Sequence, residues 1–194
     1  MEIRGLSARG DWSYIADDLG GTSWTLTGTG INADINADFS KMFWGKFRLF
    51  YHAGAGSIKD RGRLGSVDYW NIGIATLLGL RFDLGSDLRF SVGAGYGMGF
   101  GMANISPTDK GDDKWDRDCG GFDDIIEDPT SITCFLEGMD GSFSSSKFLA
   151  EVALEWGPIS ISPSFELSFN SVKEGQVLAK RLYRIGIGVG VNFE

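Results

Sequence analysis

Apolar and polar residues alternate with a strict period of two along most of this chain. In the last stretch Tyr183, Ile185, Ile187, Val189, Val191 and Phe193 share one face, while Arg184, Gly186, Gly188, Gly190 and Asn192 share the other. That period predicts a β-strand whose two sides meet different surroundings. The same pattern predicts strands over 159–169, 148–156, 88–102, 70–82, 43–53 and 27–39. A first strand over about 3–14 has Leu6, Ala8, Trp12 and Tyr14 on its apolar face. Eight strands result. Each has one side of large apolar groups, and nothing elsewhere in the chain remains to cover those sides.

The connections predicted between the strands alternate in length. Ser40 to Met42, Gly85 to Asp87 and Gly157-Pro158 are short. The stretches from about Ala16 to Ser23, Ser57 to Asp68, Pro107 to Ser146 and Ser171 to Ala179 are longer. Short turns at one end and longer loops at the other are the arrangement of an up-and-down transmembrane barrel. Both termini then lie at the short-turn end.

Composition agrees with lipid as the partner of the apolar faces. The 194 residues suit one domain, 1–194, and 29 glycines with 14 phenylalanines but 4 prolines is an unusual mixture for a water-soluble one. No run approaches the 18 or so consecutive apolar residues of a spanning helix. A closed barrel is the other structure that pairs every backbone group in hydrocarbon. A soluble barrel would carry Thr, Lys and Glu on its water face, whereas the polar faces here are mostly glycine and serine, as a narrow lumen requires. The fold class expected is therefore all-β, an eight-stranded antiparallel up-and-down transmembrane β-barrel.

On these strands the chain resembles, over nearly its whole length, the small eight-stranded outer-membrane barrels of Gram-negative bacteria, the OmpA and OmpX kind. Tyr183 to Phe193, apolar on one face and ending in an aromatic, is similar to the signal by which the insertion machinery of that membrane recognises its clients. The resemblance implies a location in the bacterial outer membrane with both termini periplasmic. It also implies contact with outer-membrane lipid and lipopolysaccharide, and a non-enzymatic role in which outer loops serve surface interaction or envelope integrity. The alternatives are a small pore for ions or polar solutes and, third, a lipid-modifying enzyme.

The inward set predicted from parity carries charges of both signs. Lys46, Arg48, Arg81, Arg89 and Arg184 face Asp34, Asp38, Asp83, Glu151, Glu155 and Glu166, which suggests lumen ion pairs. Three-residue turns at Ser40 to Met42 and at Gly85 to Asp87 would set Asp34 opposite Arg48 and Asp83 opposite Arg89, where opposite charges attract. Glycine faces on the fifth and eighth strands leave space for Trp44, Phe50, Tyr69 and the arginines. His52, the sole histidine, falls inside the barrel by parity, which disfavours a histidine-dependent lipid hydrolase working on the outer wall. No catalytic set, phosphate loop or His/Cys metal cluster stands out, and no cofactor is expected.

The third outer loop breaks the pattern. Between Pro107 and Ser146 eleven acidic residues stand against three basic ones, so this loop accounts for the whole formal charge of −8. An acidic chain is no partner for nucleic acid. The loop suits a cationic protein partner, and its carboxylates Asp112, Asp113, Asp116 and Asp118 are weak candidates for Ca2+, lacking the spacing of an EF-hand. It also holds both cysteines, Cys119 and Cys134, which an exported protein would join in a disulfide.

Overall fold

The computed structural model describes residues 2–19, 22–59, 63–85, 87–107, 141–172 and 180–193. They form eight antiparallel strands: β1 (Glu2–Leu19), β2 (Thr22–Asp38), β3 (Phe43–Lys59), β4 (Arg63–Asp83), β5 (Leu88–Pro107), β6 (Gly141–Trp156), β7 (Ile159–Val172) and β8 (Lys180–Phe193). Each strand pairs with its neighbour in sequence, and β1 pairs with β8, closing the barrel. Paired residues followed once around the wall from Leu6 run through Ile35, Phe47, Thr76, Tyr96, Phe148, Leu167 and Tyr183 to Ala16. The return is ten residues further along β1. That stagger fixes the strand tilt and leaves an interior that side chains can fill.

The two faces differ in what they meet. Leu77 is 1% exposed and its neighbour Leu78 is 64% exposed. Around the wall the exposed set is large and apolar, including Ile31, Leu49, Ile72, Met98, Leu154, Ile185 and Val189, whereas the buried set is largely polar or charged. This inverts a soluble barrel, and a belt of this kind is stable only against hydrocarbon. Aromatic rings mark both ends of the outward rows: Trp70 and Phe82 on β4, Phe148 and Trp156 on β6, Tyr183 and Phe193 on β8. Such girdles sit where lipid headgroups begin.

The short turns are tight and tied to one another. Phe39 N and Ser40 N both donate to Phe43 O, at 2.9 and 3.2 Å, while Ser40 Oγ accepts from Phe43 N at 3.0 Å. Gly157 turns the chain at φ +55°, a left-handed conformation that favours glycine, and its N–H donates to Asp87 O at 3.0 Å. Glu2 and Phe193, the ends of the first and last strands, lie at this same end.

At the other end the strands run further than the alternation predicts. The first two outer connections were expected to be long, over about 16–23 and 57–68. Instead β1 and β2 remain paired out to Leu19 and Thr22, and β3 and β4 to Lys59 and Arg63. Backbone pairing needs no apolar face, so the ladder continues past the level where lipid-facing side chains stop and the sequence signal fades. For the same reason β6 begins at Gly141 rather than Phe148, which brings Phe143, Ser145 and Lys147 into the lumen. The third outer loop, with its carboxylates Asp112, Asp113, Asp116 and Asp118 and its cysteines Cys119 and Cys134, lies outside the described residues.

Candidate functional site

Among the described residues charged groups converge in the lumen, and the registers explain how. β2 and β3 are joined so that Asp34 lies opposite Arg48. Arg48 Nε and Nη2 donate to Asp34 Oδ1 and Oδ2 at 2.7 and 2.9 Å, a bidentate pair, and Nη2 also reaches Glu151 Oε2 across the barrel at 2.7 Å. Glu151 is the hub. Lys46 Nζ donates to its Oε1 at 2.6 Å, and Arg9 Nη1 donates to its Oε2 at 2.7 Å and to Ser162 Oγ at 2.7 Å. Carboxylates in low dielectric are tolerated when several charge-assisted bonds replace their hydration, as here.

A second cluster sits nearer the outer end. Lys147 Nζ and Ser168 Oγ donate to Glu166 Oε1 at 2.9 and 2.8 Å, and Arg184 Nη1 approaches Oε2 at 3.4 Å. Asp11 joins the two clusters, 2.9 Å from Arg9 Nε and 3.8 Å from Arg184 Nη2, and it accepts from Asn32 Nδ2. His52 stacks on Phe50, centroids 5.0 Å apart, with Lys147 Nζ 4.2 Å from the centre of the same Phe50 ring. Its Nε2 stands 3.8 Å from Asp11 Oδ2, too far for a hydrogen bond.

Around these charges the lumen is packed with bulk. Trp44, Phe50, Ala75, Leu77 and Leu149 form a buried apolar cluster, and glycine makes the space. A Cβ added at Gly93 would lie 2.6 Å from Trp44 Cζ2, one at Gly99 3.1 Å from Phe50 Cζ, and one at Gly101 2.6 Å from Phe143 Cζ. A hollow of about 1220 Å3 lies along the wall. It follows two outward rows, Trp12 to Met102 and Tyr14 to Asn104, at which Thr27, Thr29, Ala53 and Ala55 step back between aromatic rings.

The remaining charges expected inside fall at the short-turn end. Arg81 Nη1 donates to Asp38 Oδ1 at 2.6 Å, both members of the expected inward set. Arg89 and Asp83 are opposite in register, 3.4 Å apart, but the side chains are 37% and 67% exposed. They are a rim pair and not a buried one, because both sit beside the turn where the lumen opens to water. Glu155, half-buried, is opposite Arg89 on the next strand. Three members of the network escaped the sequence reading. Arg9 and Asp11 belong to β1, whose alternation is weak. Lys147 precedes the apolar run of β6 by one residue.

No protein family matches the sequence, and neither does any curated protein. Solved structures do match. Neisserial surface protein A superposes over the whole of both chains with a TM-score of 0.56 at 12% identity. The chain has the fold of the small eight-stranded outer-membrane barrels. Ail, the attachment invasion locus protein of Yersinia pestis, solved with the heparin analogue sucrose octasulfate, also aligns over the whole of both chains, with a TM-score of 0.49 and 14% identity. The outer membrane enzyme PagL aligns over 94% of this chain and 99% of its own, with a TM-score of 0.43 and 12% identity. Identities this low carry the fold and no more.

Proposed function

We propose that this protein is a non-enzymatic barrel of the bacterial outer membrane, with both termini periplasmic, whose working part is the acidic outer segment 108–140. The observation that supports this reading is the filled lumen. Glu151 ties β6 to β1 and β3 across the interior, and the apolar cluster around Phe50 and Trp44 occupies much of the space between. A barrel closed in this way conducts poorly and holds its strands rigid, which suits a platform for loops. The sole histidine is sealed inside, which counts against histidine-dependent chemistry on the lipid-facing wall.

The segment 108–140 would attract a basic protein surface or Ca2+, the latter through Asp112, Asp113, Asp116 and Asp118, and a Cys119–Cys134 bridge would restrict it. Tyr183 to Phe193 would address the chain to the insertion machinery, and the apolar belt would contact lipid and lipopolysaccharide.

Two measurements test the reading. Recording in a planar bilayer should show no stable unitary steps, and regular steps would favour the small-pore reading instead. Deleting 108–140 and joining Pro107 to Gly141 by a short turn should leave a barrel that still shifts on a gel after boiling, with surface binding lost. The cut must spare Phe143, which packs inside the lumen. Retention of all binding by the shortened protein would move the function to the other loops.

A further inference from the structure

Among the described residues, a part of the lumen near its outer end is not filled. Between the outer charge cluster and the ring of Tyr69, Phe143 and Leu182 lies a cavity of about 40 Å3. By the measure that a single water needs roughly 10–15 Å3, it has room for two or three water-sized bodies. Its lining includes Arg184, Tyr69, His52 and Asn71, and each of these brings a buried polar atom that finds no hydrogen-bond partner among the described residues: Arg184 Nε and Nη2, Tyr69 OH, His52 Nε2 and Asn71 Oδ1. Arg184, His52 and Asn71 are each at most 6% exposed. Leaving such groups unbonded is costly, more so for a charged one, so the site calls for an occupant.

Charge decides what kind. Among the described residues the two central clusters join five cations, Arg9, Lys46, Arg48, Lys147 and Arg184, to four carboxylates, Asp11, Asp34, Glu151 and Glu166. The cavity touches two of the cations, Lys147 and Arg184, and one carboxylate, Glu166. Arg184 is the least satisfied of the cations: its approach to Glu166 is 3.4 Å and to Asp11 3.8 Å. Its guanidinium and the Tyr69 hydroxyl both supply donors. We propose that this cavity is a binding site for a small monovalent anion of the halide class, held by Arg184 and Tyr69, with water completing the coordination at Asn71. An excess positive charge in low dielectric is stabilised by a captured counter-ion. The small volume favours a halide with a water over a larger tetrahedral oxyanion such as sulfate. The ion would lock β8 and β4 together across the lumen and complete the seal beneath the outer loops.

Bromide is the probe. Crystals of protein refolded and grown in sodium bromide should give an anomalous difference peak in the cavity beside Arg184 and Tyr69. Water there without an anomalous signal would overturn the proposal. In solution, thermal unfolding of the detergent-solubilised barrel should rise with bromide concentration above the curve in sulfate at matched ionic strength, since a ligand of the folded state stabilises by mass action. Tyr69→Phe removes one donor and no charge, and should weaken the bromide dependence roughly tenfold in concentration, the worth of one hydrogen bond to an ion. A crystal peak with identical stability in bromide and sulfate would mean an adventitious ion only, which also overturns the proposal. If Tyr69→Phe fails to refold, the bromide and sulfate curves of the unaltered protein still decide the matter.

Discussion

Asp34–Arg48 and Asp83–Arg89 are the same device at two depths. Each pair lies directly across neighbouring strands, set by the turn that joins them, and each points inward. Deep in the lumen Arg48 grips Asp34 with two bonds of 2.7 and 2.9 Å, and the side chains are 4% and 2% exposed. At the rim Arg89 stands 3.4 Å from an Asp83 that is 67% exposed. Register settles who faces whom, but depth along the barrel axis settles what the meeting is worth. The same Coulomb attraction is several-fold stronger where water is excluded, and so is the cost of leaving one partner alone.

The largest effect should come from the deepest hub. Glu151→Gln leaves Arg9, Lys46 and Arg48 facing one another around a neutral amide, and breaking such a buried group should cost about 3–5 kcal/mol. Urea unfolding of the barrel refolded into lipid vesicles would measure it. A loss below about 1 kcal/mol would mean that water screens the centre as it screens the rim, and the comparison would collapse. Arg48→Gln should cost less than Glu151→Gln, because Asp34 keeps Lys46 Nζ at 3.4 Å. Adding Asp34→Asn to it should cost less than the sum of the two single changes, since the second removes a charge the first has stranded.

The faces of all eight strands followed from parity because lipid demands an unbroken row of apolar side chains, and Leu77 beside Leu78 shows how sharply that row divides inside from outside. The deep ion pair was legible through the short turn at residues 39–42. The network as a whole was not. Arg9 reaches Glu151 across a gap of 142 positions in the chain, and no local pattern encodes a contact over the diameter of a barrel. Nor does alternation say at which level a strand leaves the membrane. That is why the pairing of β1 with β2 and of β3 with β4 continues where loops were expected, and why Lys147 was missed at the start of β6. The acidic segment was conspicuous by charge alone, a property that locates a partner's sign and nothing of its shape.

Packing between the two depths offers a middle-sized test. Trp44 lies against Gly93, where an added Cβ would meet Cζ2 at 2.6 Å and Cη2 at 2.7 Å. Gly93→Ala should therefore destabilise by about 1–3 kcal/mol, the usual cost of overfilling a packed interior. In a double-mutant cycle with Trp44→Phe the coupling should be favourable, because the smaller ring vacates the space that the new methyl takes. Purely additive losses would show that glycine at this position serves the curvature of β5 instead of the room for Trp44.

The smallest effect is predicted at the rim, and it is the control that gives the others meaning. Asp83→Asn removes one partner of a cross-strand pair with the same registry as Asp34–Arg48, yet exposed pairs contribute only about 0–1 kcal/mol. The difference between Asp83→Asn and the unaltered protein should shrink further as salt rises, because at 1 M the screening length falls to about 3 Å. Glu151→Gln should keep its cost in the same salt, since Arg9, Lys46, Arg48 and Ser162 pack directly around Glu151 and leave no room there for mobile electrolyte. Equal salt sensitivity at both positions would mean that electrolyte reaches Glu151. The lumen would then be a wet passage, and the closed platform proposed for this barrel would give way to the pore.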